Sequence, residues 1–153
     1  MKNKLLILIG SIIIWGSVYI YALPYIAVAD LKEAVKNNDV YVLEGYVDSD
    51  ALRHNIKDQF NATIVASIVT PEGIRKIFEG KNPVAINKGG RFSNEEYDKR
   101  FERVQMGYLS HEKFEVFIPV ESHSGENTGL KLILEREGFD WRLANFIVPF
   151  DQM

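Results

Sequence analysis

The chain has 153 residues, of which 46% are hydrophobic and 25% are charged, as in a globular rather than a disordered protein. Its first 29 residues contain two lysines and no acid, so residues 30–153 hold 16 basic and 21 acidic residues and a net charge of −5. This charge argues against nucleic-acid binding, which depends on clustered Lys and Arg. Because there is no cysteine, the sequence excludes disulfides, thiol catalysis and cysteine-bound zinc.

An apolar segment opens the chain. No charged residue occurs in residues 5–29, and the most apolar part is residues 5–22. As a helix, those 18 residues would extend about 27 Å, close to the ~30 Å hydrocarbon core of a bilayer. The two preceding lysines favour an N-terminus inside the cytoplasm and a following domain outside it. We therefore predict a transmembrane anchor at 1–23, contacting the membrane through residues 5–22, and an extracytoplasmic domain at 24–153.

The same segment has an alternative interpretation as a signal peptide cleaved after Ala29, where Ala27-Val28-Ala29 is a small-x-small site. Three features favour the uncleaved anchor. The apolar run exceeds the ~7–15 residues of a signal core. Pro24 suits the first residue of a helix ending near Lys36, and cleavage would remove the first turn of that helix. A buried helix of a cytosolic protein is disfavoured because the charge-free run is longer than most globular helices.

Helical periodicity and capping residues predict further helices after the apolar segment. Leu52, Ile56, Phe60 and Ile64 recur every four residues as one apolar stripe, which predicts a single long helix. Asn37, Asn38 and Asp39 are placed as the turn and cap of a short helix, and Thr70 is placed to cap a helix that begins at Pro71. The predicted ranges are Asp39–Tyr46, Asp50–Ile68, Pro71–Phe78 and, after a loop over Gly80–Ser93, Asn94–Glu102.

The period then changes from helical to two, which indicates strands. Four alternating sets are predicted: Val104, Met106 and Tyr108; Phe114, Val116, Ile118 and Val120; Leu130, Leu132 and Leu134; and Trp141, Leu143, Asn145 and Ile147. Short connections favour antiparallel neighbours. We predict an α+β fold, with an N-terminal transmembrane helix, several helices and a four-stranded antiparallel meander. By analogy this architecture is similar to the cystatin-like and nuclear-transport-factor-2-like cone folds.

Short motifs spread over much of the domain carry a family resemblance. They are Pro24-Tyr25, Leu31–Ala34, Leu43, Tyr46–Asp48, Ala51–Arg53, Gly107-Tyr108, Lys113–Val116, Leu132–Gly138, Trp141–Leu143 and Val148-Pro149. In these the chain resembles an uncharacterised bacterial family, the domain of unknown function 2939 family. The resemblance implies a single-pass protein of a Gram-negative inner membrane with a periplasmic domain. It implies no activity, cofactor or catalytic residue.

An aromatic group supplies the candidate ligand site. Several rings fall on the predicted sheet, and in a cone fold some would line a concavity between sheet and helices, the usual place for a ligand. The ligand-binding candidates are Tyr108, Phe117, Trp141 and Asn145. The alternative interpretation of the rings is an aromatic-rich core. Asn145 is a polar residue on the predicted core face and would need a partner if buried.

Other polar groups are weaker candidates. The three histidines, His54, His111 and His123, form no recognised metal-ligand spacing. Neither Ser110 nor Ser124 lies in a nucleophile-elbow pattern. We therefore expect no catalytic residue, no metal and no cofactor.

Two functional hypotheses follow. The first is a membrane-anchored interaction domain of the periplasm, without catalysis, whose anchor raises its effective concentration near membrane partners. The second is a small-molecule or lipid-binding cone domain on the same anchor. An enzyme with unidentified residues is a third and weaker alternative.

Overall fold

The structure is a computed structural model and describes residues 2–78, 101–119 and 129–147. It has the predicted α+β fold, in which helices precede a four-stranded antiparallel sheet of order β1-β2-β3-β4. The helices are α1 (Lys2–Asn37), α2 (Val40–Gly45), α3 (Ser49–Ile56), α4 (Ala62–Ile68) and α5 (Pro71–Phe78). The strands are β1 (Gln105–Tyr108), β2 (Lys113–Pro119), β3 (Gly129–Glu137) and β4 (Asp140–Ile147). The predicted loop over Gly80–Ser93, and the predicted helix over Asn94–Glu102 except for its last two residues, lie outside the described residues.

Helix α1 has two parts that differ in exposure. Its apolar N-terminal part is exposed, from Leu5 at 58% to Tyr21 at 61%, whereas five residues of its C-terminal part are buried in the core. The buried residues are Ala27, Val28, Leu31, Ala34 and Val35. One helix therefore contains both an exposed apolar segment and a core element of the domain.

Pro24 lies inside α1, so the prediction that it begins a new helix is wrong. Proline at an interior position removes one backbone hydrogen bond. The residues before and after it are helical. The proline is therefore accommodated within a continuous helix.

The predicted long helix over Asp50–Ile68 is also wrong, because the structure divides it into α3 and α4. Asn61 begins the second helix: its Oδ1 accepts a hydrogen bond from the N–H of Ile64 at 3.1 Å. Asparagine satisfies helix-starting N–H groups well but contributes little inside a helix. Phe60 still reaches the core, at 8% exposure, because the turn before Asn61 redirects the chain.

Two short helices are confirmed together with their caps. Asp39 precedes α2 and its Oδ1 accepts from the N–H of Val42 at 3.1 Å. Thr70 precedes α5 and its hydroxyl accepts from the N–H of Gly73 at 3.1 Å. Each cap satisfies an N–H group that has no partner within its helix.

The sheet has one apolar face and one mixed face, as the alternation predicted. On the apolar face Phe114, Val116 and Ile118 of β2 are fully buried and pair with Leu134, Leu132 and Leu130 of β3. On the opposite face, called here the outer face, ion pairs join neighbouring strands. Lys113 lies 2.9 Å from Glu135, and Lys131 lies 3.3 Å from Glu115. The helices cover the apolar face.

A β-bulge in β4 makes the predicted side-chain alternation of the fourth strand wrong after Leu143. Ile133 pairs with Asn145 and Leu134 pairs with Leu143, so Ala144 is an extra residue in β4. An extra residue moves all later side chains to the other face. The apolar face is therefore continued by Phe146, which is fully buried, and not by Asn145 and Ile147.

Helix α1 crosses the apolar face from β1 to β4, because successive residues along it contact successive strands. The ring of Tyr21 stacks on Tyr108 of β1 with centroids 4.9 Å apart, and Tyr25 meets Phe114 of β2 edge to face at 4.7 Å. Further along, Asp30 accepts a hydrogen bond from Tyr46, whose carbonyl accepts from the N–H of Leu143 in β4. The helix rises about 13.5 Å from Tyr21 to Asp30, which matches the ~14 Å between the first and fourth strands of a sheet.

The edge of β4 that does not pair with β3 is covered by segments that precede the sheet in the chain. Val47 forms a parallel bridge with Leu143. From α3 and the turn after it, the amide of Asn55 donates to the Ala144 carbonyl at 2.9 Å and that of Gln59 to the Phe146 carbonyl at 3.3 Å. These bonds use carbonyl groups that an edge strand would otherwise leave unpaired.

Candidate functional site

A groove of about 640 Å³ lies where the C-terminal part of α1, helix α2 and the start of β4 meet. We call it the acidic groove, because four carboxylates line it and lysine, arginine and histidine are absent from its described lining. Its lining residues are Asp30, Glu33, Ala34, Asn37, Asp39, Tyr41, Val42, Gly45, Tyr46, Asp140 and Trp141.

The Tyr46 hydroxyl forms a hydrogen bond with another residue of the groove lining. It donates a hydrogen bond to Oδ2 of Asp30 at 2.6 Å. This hydrogen bond, together with burial and the negative charges of Asp30 and Asp140, raises the pKa of Tyr46 to about 12. The phenol is therefore a neutral hydrogen-bond donor over the whole physiological range.

The remaining carboxylates differ in how far they are engaged. Asp39 is used as the N-cap of α2, whereas Glu33 and Asp140 are exposed. Tyr41 is 87% exposed at one side of the groove, and Trp141, at 3%, forms a buried wall. Carboxylates beside aromatic rings attract positively charged groups by Coulomb and cation–π interactions. The groove is thus suited to a cationic group.

Two of the four predicted ligand residues lie together, on the apolar face of the sheet. The ring centroids of Tyr108 and Trp141 are 5.7 Å apart, and both rings contact Phe114 edge to face. Burial raises the pKa of Tyr108, and its hydroxyl donates to the Tyr21 carbonyl at 2.9 Å. Of these two residues only Trp141 reaches the acidic groove.

The other two predicted residues lie on the outer face. Phe117 lines a second groove, of about 560 Å³, which runs beside β1. Its other lining residues are Gln105–Leu109, Glu115, Pro119 and Lys131. Asn145 was moved to this face by the bulge, and its buried Oδ1 has no hydrogen-bond partner in the described part of the chain. The four predicted residues therefore do not form one site.

Metal-type residues are dispersed. Within residues 2–78, 101–119 and 129–147, no three His, Cys, Asp or Glu side chains lie close enough to share a metal ion. His111 lies 3.4 Å from Glu112 at the surface. His123 and Ser124 lie outside the described ranges.

Apart from Trp141, the residues that line the acidic groove are not among the ligand candidates of the sequence. Asp30 and Tyr46 are 16 positions apart on different elements, and Asp140 lies at the start of the last strand. No spacing rule connects such residues, because they meet only when α1, α2 and β4 pack together. The one available signal is the concentration of Asp, Glu and Tyr between 30 and 46.

Comparison with known proteins gives one family match. The sequence model of a family described as Protein of unknown function (DUF2939) matches residues 13–72. No curated protein matches the chain, and no solved structure matches it. The match ends within α5, so the likeness that we drew through the strands stays a prediction. Residues 13–72, from the apolar half of α1 to the start of α5, therefore confirm the resemblance to this family, whose description states no function.

Proposed function

We propose that the chain is a membrane-anchored interaction domain that acts outside the cytoplasm without catalysis. The observation that carries this proposal is the continuity of α1, which leads without interruption from an exposed apolar segment into the core of the domain. A partner at the membrane would meet a domain held at a fixed height, since no flexible linker joins it to the anchor.

The exposed part of α1 supports the membrane half of the proposal. An 18-residue window of this helix has a mean hydropathy of 2.1 and is 0% buried against the rest of the described chain. The large side chain of Trp15, for example, is 73% exposed. A helix that is apolar on all sides and left uncovered by the described residues is stable in lipid, where its surface is solvated and its backbone bonds are internal.

The flanking charges support the orientation. Lys2 and Lys4 precede the apolar segment, whereas Asp30, Lys32 and Glu33 follow it with mixed sign. Positive charge concentrates on the cytoplasmic side of membrane helices. The domain is thereby proposed to face away from the cytoplasm, which in a bacterial inner membrane is the periplasm.

The topology can be tested directly because the chain has no cysteine. A single cysteine at Tyr41, which is 87% exposed, is expected to react with a membrane-impermeant maleimide on intact spheroplasts. Asn3→Cys, which keeps both lysines, is the matched control and is expected to react only after lysis. Labelling of the Tyr41→Cys variant only after lysis would contradict the proposed orientation.

The interaction can be tested with the full chain in its own membrane. A photo-crosslinking amino acid at Tyr41, beside the acidic groove, is expected to give one discrete adduct. The same amino acid at Asp58, exposed in the turn after α3, serves as the control. Equal, diffuse adducts from both positions would argue against a specific partner at the groove.

Small-molecule binding is the second candidate function, and the size and lining of the acidic groove favour it. Its volume of about 640 Å³ falls in the ~300–1,000 Å³ range of ligand pockets. The chain has two tryptophans, so Trp15→Phe leaves Trp141 in the groove wall as the reporter. Tetraethylammonium is expected to change its fluorescence saturably and acetate is not. An identical response to the two ions would contradict this candidate.

A further inference from the structure

The contacts of helix α1 with successive strands indicate how far each strand lies from the membrane that α1 is proposed to cross. The exposed apolar segment of α1 ends at Tyr21, and Tyr21 is fixed to Tyr108 by two contacts. The Tyr108 hydroxyl donates to the Tyr21 carbonyl at 2.9 Å, and the two rings stack at 4.9 Å. The end of β1 therefore lies level with the end of the segment that would enter the bilayer.

The order of the contacts along α1 places the other strands progressively farther away. Tyr21 contacts β1, Tyr25 contacts β2 and Asp30 is joined to β4 through Tyr46, so the strands succeed one another along the helix axis, about 4.8 Å apart. The acidic groove begins at the level of β4, where Asp30 lines it, and extends to Asn37, about 24 Å along the helix from Tyr21. The sheet thus has a membrane-proximal strand and a membrane-distal strand.

The composition of the proximal strand differs from that of the distal groove. We call Gln105–Leu109 the β1 edge; it contains no charged residue. Two of its apolar side chains are exposed, Met106 at 43% and Leu109 at 56%. The four carboxylates of the acidic groove lie instead at the far end of α1. Apolar and uncharged groups suit the interfacial layer of a bilayer, whereas carboxylates are repelled by its anionic lipids.

We propose that the β1 edge rests in the headgroup layer of the same bilayer that α1 crosses, with Leu109 as its main contact. The inference rests on the proposed membrane anchoring and adds which surface of the domain faces the lipid. Burial of Leu109 and Met106 in the interface removes apolar surface from water. The acidic groove is then held away from the lipid and open to partners.

Environment-sensitive labels on single cysteines test this arrangement, since no native cysteine interferes. The full chain is reconstituted in vesicles of phosphatidylethanolamine and phosphatidylglycerol that carry nitroxides either on the headgroup or on the acyl chain. Leu109→Cys and Met106→Cys probe the β1 edge, and Tyr41→Cys is the exposed distal control. Ser11→Cys, in the apolar segment, reports insertion.

Each outcome decides the inference. Headgroup nitroxides are expected to quench labels at 109 and 106 several-fold more than a label at 41, while acyl-chain nitroxides quench the label at 11. If the label at 11 is quenched but those at 109 and 106 are quenched no more than that at 41, the anchor stands and the inference is overturned. If the label at 11 is not quenched, the anchoring itself fails and the inference fails with it.

Discussion

Tyr46 joins helix α1 to the edge of the sheet through two hydrogen bonds. Its hydroxyl donates to Asp30 of α1 at 2.6 Å, and its carbonyl accepts from the N–H of Leu143 in β4 at 2.8 Å. The side chain and the backbone of one residue thus connect helix α1 with the last strand of the sheet. The acidic groove depends on this connection for its shape.

Removal of the Tyr46 hydroxyl should lower stability with a defined pH dependence. Because the folded-state pKa is raised from 10.0 to about 12, the hydrogen bond contributes fully below pH 10 and is lost as the pH rises through 12. Tyr46→Phe should therefore cost about 1 kcal/mol at neutral pH. The difference in unfolding free energy between Tyr46→Phe and wild type should vanish as the pH rises above about 12.

Denaturant unfolding of the detergent-solubilised chain, followed by Trp141 fluorescence in a Trp15→Phe background, measures this difference. Tyr41→Phe is the matched control, since its ring is 87% exposed, and it should change the unfolding midpoint little. A cost of Tyr46→Phe that stays constant from neutral pH to pH 12 would show that the hydroxyl acts through packing and not through its hydrogen bond.

Two glycines should respond to alanine with opposite sign. A Cβ at Gly73 of α5 would collide with the Ser67 carbonyl oxygen and lie 2.6 Å from that of Ile68. Both are backbone atoms, so Gly73→Ala should destabilise the domain by about 1–3 kcal/mol. At Gly45 of α2 nothing lies within 4 Å, and Gly45→Ala should stabilise it by roughly 0.4–1 kcal/mol. Equal effects in thermal unfolding would contradict the close approach of α5 to the end of α4.

Alanine substitutions at two adjacent residues of β4 should distinguish the bulged register of this strand from a regular alternation. Phe146 is fully buried and Ile147 is 41% exposed. Phe146→Ala should therefore cost about 3–5 kcal/mol, whereas Ile147→Ala should stay within about 1 kcal/mol. Denaturation midpoints of the two variants compare the costs, and a larger cost at Ile147 would indicate the uninterrupted alternation.

The break between α3 and α4 should depend on one side chain. Asn61→Ala removes the acceptor for the N–H of Ile64 and should cost about 1 kcal/mol. Asn61→Asp keeps an oxygen acceptor and should retain most of the stability. Amide hydrogen exchange at Ile64 provides the local readout, and unchanged protection in Asn61→Ala would show that the cap is not what begins α4.

Local signals predicted most of the elements of this fold. The caps Asp39 and Thr70 marked the starts of α2 and α5, and alternation found all four strands, because caps and strand patterns involve residues a few positions apart. The same local reading failed at Asn61, where a regular apolar stripe hid a cap. It failed again at Ala144, where a bulge arises from the pairing of β4 with β3 and not from the composition of β4.

The candidate site was predicted far less well than the fold. Trp141 was chosen for its ring and lies in the groove wall, but Asp30, Tyr46 and Asp140 were not chosen. Their proximity depends on the packing of α1 and α2 against the start of β4. Tyr108 was expected in a ligand concavity, and the structure places it against Tyr21 of α1.

The sequence by itself determined that residues 5–22 form an apolar helix long enough to cross a bilayer and that helices precede an antiparallel sheet. Both follow from hydropathy and periodicity, which are properties of neighbouring residues. Only the tertiary structure decided that α1 continues through Pro24 and that it crosses the strands from β1 to β4. It also decided that four carboxylates line one groove near the C-terminal part of α1. Those relationships depend on contacts between distant segments, whose geometry is set by packing rather than by local pattern.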